Sequence, residues 1–160
     1  MKLIIPCKDN HLYRLYGGRR GGMDEPYSDG WHLGKDYGCL IGTPVYAPVD
    51  LYILDMIYAN GYGSMNPHTK GWVIFANGVI DGKMYNFNFG HVFPKVELKQ
   101  NVKPGEIIAT VATFKNRKEL LPHLHFGIHE DFGKPKAPWG YVQNKEDMKG
   151  WINPVSLGLG

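Results

Sequence analysis

The chain of 160 residues is poor in cysteine, in long apolar runs and in net charge. Its two cysteines, Cys7 and Cys39, are too few for a zinc ribbon. They pair in an oxidising compartment or stay as buried thiols, and the sequence leaves both open. No stretch approaches the roughly 18 apolar residues of a membrane-spanning helix, so no transmembrane segment is expected. A net charge of +3 gives no argument for nucleic acid as a partner, although it suits a target with an anionic surface. The opening "MKLIIPCKDN" has an apolar patch too short for a signal-peptide core, and its cysteine comes too early for lipoprotein acylation. Three routes stay open on this reading: a leader already removed, export by another path, or retention inside the cell.

What is abundant is turn-forming residues. The 21 glycines and 11 prolines point to many turns and short strands rather than helices. Ten tyrosines and four tryptophans fit aromatic-lined surfaces or a β-rich core. With 43% hydrophobic residues, a chain of this length buries a core without staples and forms one domain, 1–160.

"YGGRRGGMDEPYSDG" reads as loop, and "GTPVYAPVDLYILDMIYANGYG" as strand, turn, strand. "KGWVIFANGVIDGKMYNFNFGHV" carries two strands around "ANG" and "DG" turns, and "NVKPGEIIATVATF" a Pro-Gly turn and a strand. "KNRKELL" suits a short helical turn, while Asp131–Lys149 reads as a long loop before "WINPVSLGL". The expected class is mainly β: a single antiparallel β-sheet domain with long loops.

The chemistry concentrates in "PHLHFGIHE", residues 122–130. On a strand, His123, His125, Gly127 and His129 share one face, and Leu124, Phe126 and Ile128 the other. That is the pattern of a half-buried strand. Upstream, "GWHLGKDYG" holds His32 and Asp36; Gly30, Gly34 and Gly38 disfavour a regular helix there, yet a glycine-rich segment can bring both side chains to one point. His91 stands alone in "NFGHV". Zinc hydrolases commonly use three protein ligands and leave a position for water. His32, Asp36 and one histidine of the H-x-H meet that need, with two histidines left for proton transfer. His11, His68, His129 and Cys39 are read as ordinary structural residues.

Taken in order, "YGGRR", "HLGKD", "GTPVYAPVD", the Gly-His at 90–91, "PGEIIATV", "PHLHFGI" and "INPVSL" resemble the lysostaphin/LytM-like zinc metalloendopeptidases over residues 15–158. The resemblance implies an antiparallel β core whose loops wall a narrow groove. It implies one zinc ion held by His32, Asp36 and His125, with His91 and His123 as catalytic histidines beside the attacking water. One histidine would serve as general base and the other as donor to the oxyanion, with His123 favoured as base because it is tied to a ligand strand. The implied activity is hydrolysis of peptide bonds in bacterial peptidoglycan by a monomer acting at the cell wall, whether periplasmic, secreted or phage-delivered. His129, about 13 Å along the strand from His125, is out of reach of a shared metal.

Three departures concern the groove rather than the ligands. Asn88, Phe89 and Gly90 lead into His91 where many members carry a tyrosine; "FKNRKELLP" replaces a glycine-rich turn before the H-x-H; and "KAPWGYVQN" lies in a long insert. Specificity for a glycine bridge therefore does not carry over. Rival readings are weaker. A cupin site of His123, His125 and Glu130 lacks a later histidine, and strand parity turns Glu130 away. A lipoyl-type carrier centred on Lys83 leaves the histidines unexplained. A degenerate, wall-binding or regulatory member of the same family would be expected to lack a ligand, and here the set is complete.

Overall fold

The computed structural model describes residues 2–8, 11–58, 71–112, 121–132 and 140–160. His68 and most of "KNRKELL", read above as a helical turn, lie outside the described residues. The strands in chain order are β1 (His11–Leu12), β2 (Trp31–His32), β3 (Gly34–Gly38), β4 (Pro44–Tyr46), β5 (Leu51–Tyr58) and β6 (Trp72–Ile80). They continue as β7 (Lys83–Pro94), β8 (Asn101–Val102), β9 (Ile107–Val111), β10 (His123–His129), β11 (Tyr141–Val142) and β12 (Trp151–Ile152). Two short 3-10 turns, Lys145–Met148 and Pro154–Leu157, are the only helical elements among the described residues. None of these residues forms a helix long and apolar enough to cross a membrane.

Ten strands join in one sheet along the path β1-β3-β10-β7-β6-β5-β8, with β12 on β10 and β9 bridging β4 and β7. A separate ribbon pairs β2 with β11. All pairings that carry the site are antiparallel. The expected mainly β, antiparallel class is therefore the fold.

Only one of the two turn signals in the β6–β7 segment makes a turn. Asp81 and Gly82 take φ of 48° and 81°, the positive pair of a tight two-residue hairpin. The "ANG" at 76–78 runs on as strand, with Asn77 facing Tyr52 on one side and Asn86 on the other. Gly78 is small for packing reasons: a Cβ there would lie 2.8–2.9 Å from Val49, Asp50 and Leu51. Cys7 and Cys39 are joined as a disulfide that ties the N-terminal segment to the end of β3.

Leu124, Phe126 and Ile128 point into the core, as alternation requires, beside Tyr37 of β3 and Phe87 and Phe89 of β7. Phe126 is central, with ring centroids 5.1 Å from Phe89 and 6.1 Å from Tyr37. Burial of each such side chain contributes roughly 1.5–3 kcal/mol. β10 differs from the half-buried expectation, since all seven residues are buried. Its histidine face is covered as well: Tyr13 lies on His123, and Trp151 lies on His129 and beside Gly127.

Candidate metal centre

The site grows out of strand register. β10 runs between β3 and β7, and His125 has Asp36 as its Cα partner on one side and Gly90 on the other. Cross-strand partners share a face, so the register alone brings imidazole and carboxylate together. His32 and Asp36 reach the site from two short strands, β2 and β3, rather than from the glycine loop allowed by the sequence. Gly34 lets the strands close up, because a Cβ there would lie 2.2 Å from the Phe126 carbonyl oxygen.

Three ligand atoms meet in a near-equilateral triangle. His32 Nε2, Asp36 Oδ1 and His125 Nδ1 are each 3.0 Å from the other two. All three side chains are at most 2% exposed. Atoms at this spacing would leave room for one ion at the roughly 2.0–2.2 Å that zinc prefers to nitrogen and carboxylate ligands, with His32, Asp36 and His125 as the residues to hold it. The group is thus of the right kind and spacing to hold a metal. His32 Nδ1 lies 2.9 Å from the Leu15 carbonyl. With a metal bound, a ring donating there would turn its Nε2 lone pair to the triangle, the usual orientation device for a metal-binding histidine.

His123 stands one step along β10, with Nε2 3.5 Å from Asp36 Oδ2 and Nδ1 2.8 Å from the Leu121 carbonyl. His91 faces it edge-on, ring centroids 4.5 Å apart. Strict alternation on β7 would send His91 to the core with Tyr85, Phe87 and Phe89. The β6–β7 register shifts by one residue between Trp72 and Ile74, and His91 takes φ of 60°. This bulge turns the His91 imidazole to the site face and returns Val92 to the core.

Burial dominates the electrostatics. By itself it would raise the Asp36 pKa, but His32, His123 and the hydrogen bonds from His125 and His32 hold the carboxyl well below its usual range. Burial also lowers the His123 and His125 imidazoles, against the pull of Asp36. His91 is held well below 6.5 by burial and by the adjacent His123. The arrangement sets a carboxyl held well below its usual range beside three imidazoles, His91, His123 and His125, that burial turns against carrying charge, which suits a bound cation and proton acceptors beside it.

The profile of Peptidase family M23 matches residues 30–138. The chain belongs to peptidase family M23. Solved structures agree on the fold: LytU is 23% identical with a TM-score of 0.59, covering 89% of this chain and 80% of LytU. The catalytic domain of lysostaphin from Staphylococcus simulans is 22% identical with a TM-score of 0.55, covering 95% and 92%. Helicobacter pylori Csd3 is 22% identical with a TM-score of 0.55 over 89% of this chain, which spans 35% of Csd3. Among curated protein sequences none matches.

The M23 match includes His32, Asp36, His91, His123 and His125, and the fold gathers all five. The fold leaves His129 aside from them: its Nδ1 accepts from the Asp131 N–H at 2.8 Å and its ring packs edge-on against Trp151. His11 lies over Gly38, away from the triangle. Sequence reading missed Tyr13, Arg14, Tyr27 and Tyr141, which surround the centre. Tyr13 and Arg14 carry no motif, and Tyr27 sits in a segment that reads as loop; for Tyr141 the one signal was the unusual insert that contains it.

Proposed function

We propose that this M23 chain is a single-domain, monomeric zinc metalloendopeptidase that cleaves peptide bonds of bacterial peptidoglycan and works at the cell wall. The observation that carries the reading is the buried triangle of His32 Nε2, Asp36 Oδ1 and His125 Nδ1 with the His91 and His123 imidazoles at its side. His32, Asp36 and His125 would hold one zinc ion. When bound, zinc supplies Lewis acidity and brings the pKa of a ligated water to about 7.

The chain's own groups supply the proton traffic. His123 donates from Nδ1 to the Leu121 carbonyl, which leaves the Nε2 lone pair on the Asp36 side of the site. His123 is therefore the general base: it takes the proton of the attacking water and returns it to the departing amine. His91, brought alongside by its bulge, donates a hydrogen bond to the developing oxyanion. Asp36, whose carboxyl the surrounding histidines hold well below its usual range, balances the charge that builds on His123.

Incubation of the protein with purified sacculi, with and without a chelator, tests this reading. New amino termini identified by mass spectrometry, and lost on chelation, are expected. Sacculi left intact by the zinc-loaded protein would refute it.

A further inference from the structure

The segment Tyr13–Leu15 touches the metal centre at three points. The Leu15 carbonyl accepts from His32 Nδ1–H at 2.9 Å, and the Arg14 carbonyl accepts from the Asp36 N–H at 2.9 Å. The Tyr13 ring lies on His123, centroids 4.4 Å apart and planes 35° apart. The Arg14 side chain then crosses to the far wall. Its Nη1 donates to Asp29 Oδ2 at 2.6 Å and to Tyr141 Oη at 2.5 Å. The guanidinium also lies 5.2 Å from the Tyr27 ring and 5.7 Å from the Tyr141 ring.

Tyr141 in turn is stacked on His32, with ring centroids 4.8 Å apart and planes 32° apart, and is its backbone partner in the β2–β11 ribbon. His32 is thus gripped twice: at Nδ1 by the Leu15 carbonyl and on its ring face by Tyr141. Arg14 links the two grips, for it is covalently next to Leu15 and hydrogen-bonded to Tyr141. The ion pair with Asp29 contributes little to stability, since Asp29 is half exposed. The bond to Tyr141 is more sheltered and charge-assisted, the kind that fixes geometry. Arg14 and Tyr141 both lie outside the region matched by the M23 profile.

We propose that Arg14 is a positioning residue for the metal centre: held by Asp29, it fixes Tyr141 against His32 and so keeps His32 Nε2 aimed at Asp36 and His125. It acts through Tyr141 and His32 and touches neither substrate nor metal. The inference rests on the metal-binding reading above.

Zinc affinity, measured by competition with a chromophoric chelator, tests it on the full chain, with the melting temperature of each metal-free protein measured alongside. Arg14→Ala is expected to bind zinc about 10–100-fold more weakly, the usual effect of removing a group that orients a ligand. Tyr141→Phe keeps the ring but removes the oxygen that Arg14 holds, and is expected to weaken binding in the same sense. The double variant should bind no more weakly than Arg14→Ala alone, because the two residues act in series. Arg14→Lys, whose ammonium still donates to Tyr141, should recover part of the affinity.

Unchanged affinity in Arg14→Ala, with or without a lower melting temperature, overturns the proposal, as do additive losses in the double variant. If Arg14→Ala fails to fold, Tyr141→Phe decides, and wild-type affinity there overturns it. A wild-type protein that binds no zinc at all would overturn the metal reading itself, an outcome distinct from these.

Discussion

His125 on β10 and Asp36 on β3 are direct cross-strand partners, and Nδ1 of one lies 3.0 Å from Oδ1 of the other. Two side chains that are 89 residues apart in sequence are thereby brought together by the ladder itself rather than by loop conformation. A one-residue slip of β3 against β10 would turn Asp36 into the core, so the buried apolar face that fixes the register also fixes the site.

His125→Ala and Asp36→Ala are expected to lose bound zinc, from about one ion per chain to a small fraction of one, since each removes one of the three proposed protein ligands. Elemental analysis of the purified variants measures this. An undiminished zinc content in either would rule out its assignment as a ligand.

His123→Ala and His91→Ala should keep their zinc yet hydrolyse sacculi about 10²-fold more slowly or worse, the effect of deleting acid–base groups. Initial rates and zinc content from one preparation separate this from loss of metal. Near-normal turnover in both variants would count against the proposed roles.

His91 also pays for its orientation in backbone strain, with φ of 60° in a non-glycine residue. His91→Gly should therefore be more stable than His91→Ala by about 1 kcal/mol, although both lose the imidazole. For a chain of this size that corresponds to roughly 2–4 °C in melting temperature. Equal melting temperatures would mean that the positive φ carries no cost.

Gly34→Ala places a methyl group 2.2 Å from the Phe126 carbonyl, where only backbone movement can relieve the clash. The expected destabilisation is about 1–3 kcal/mol or more. Because Gly34 is two residues from Asp36, zinc affinity should fall with it. Thermal melting and zinc titration of this variant check both effects, and wild-type values would show that β3 and β10 can separate freely.

The metal-free protein should lose stability as the pH falls below about 6.5. His91, His123 and His125 have folded pKa values below the ordinary 6.5, so across that window the unfolded chain binds more protons than the folded one. Stability then rises with pH through the window and is level above it. Asp36 acts in a lower window: its depressed carboxyl contributes stability present above 3.8 and lost as the pH drops through its folded value. Melting temperatures between pH 8 and 5, measured with chelator present, should be level at the top and fall at the bottom, less steeply for His91→Ala. A flat profile would contradict the burial of neutral imidazoles.

Much of this was legible in the chain itself. Alternation in "HLHFGIH" separated Leu124, Phe126 and Ile128 from the histidines, because period-two geometry follows from the extended backbone alone. The spacing of His32, Asp36, His123 and His125 pointed to a metal site with one histidine of the H-x-H in it, and the family resemblance put His125 there, the histidine that the fold sets beside His32 and Asp36. What only the tertiary structure decided is where non-local contacts override local pattern. The bulge at His91 reverses the parity of β7 because the ladders to β6, β9 and β10 must all close around it. The "ANG" of β6 stays extended because Gly78 must pass close to Val49–Leu51, a packing demand that no local turn signal reports. Arg14 and Tyr141, 127 positions apart, meet only because the fold brings the segment after β1 against β11 beside His32.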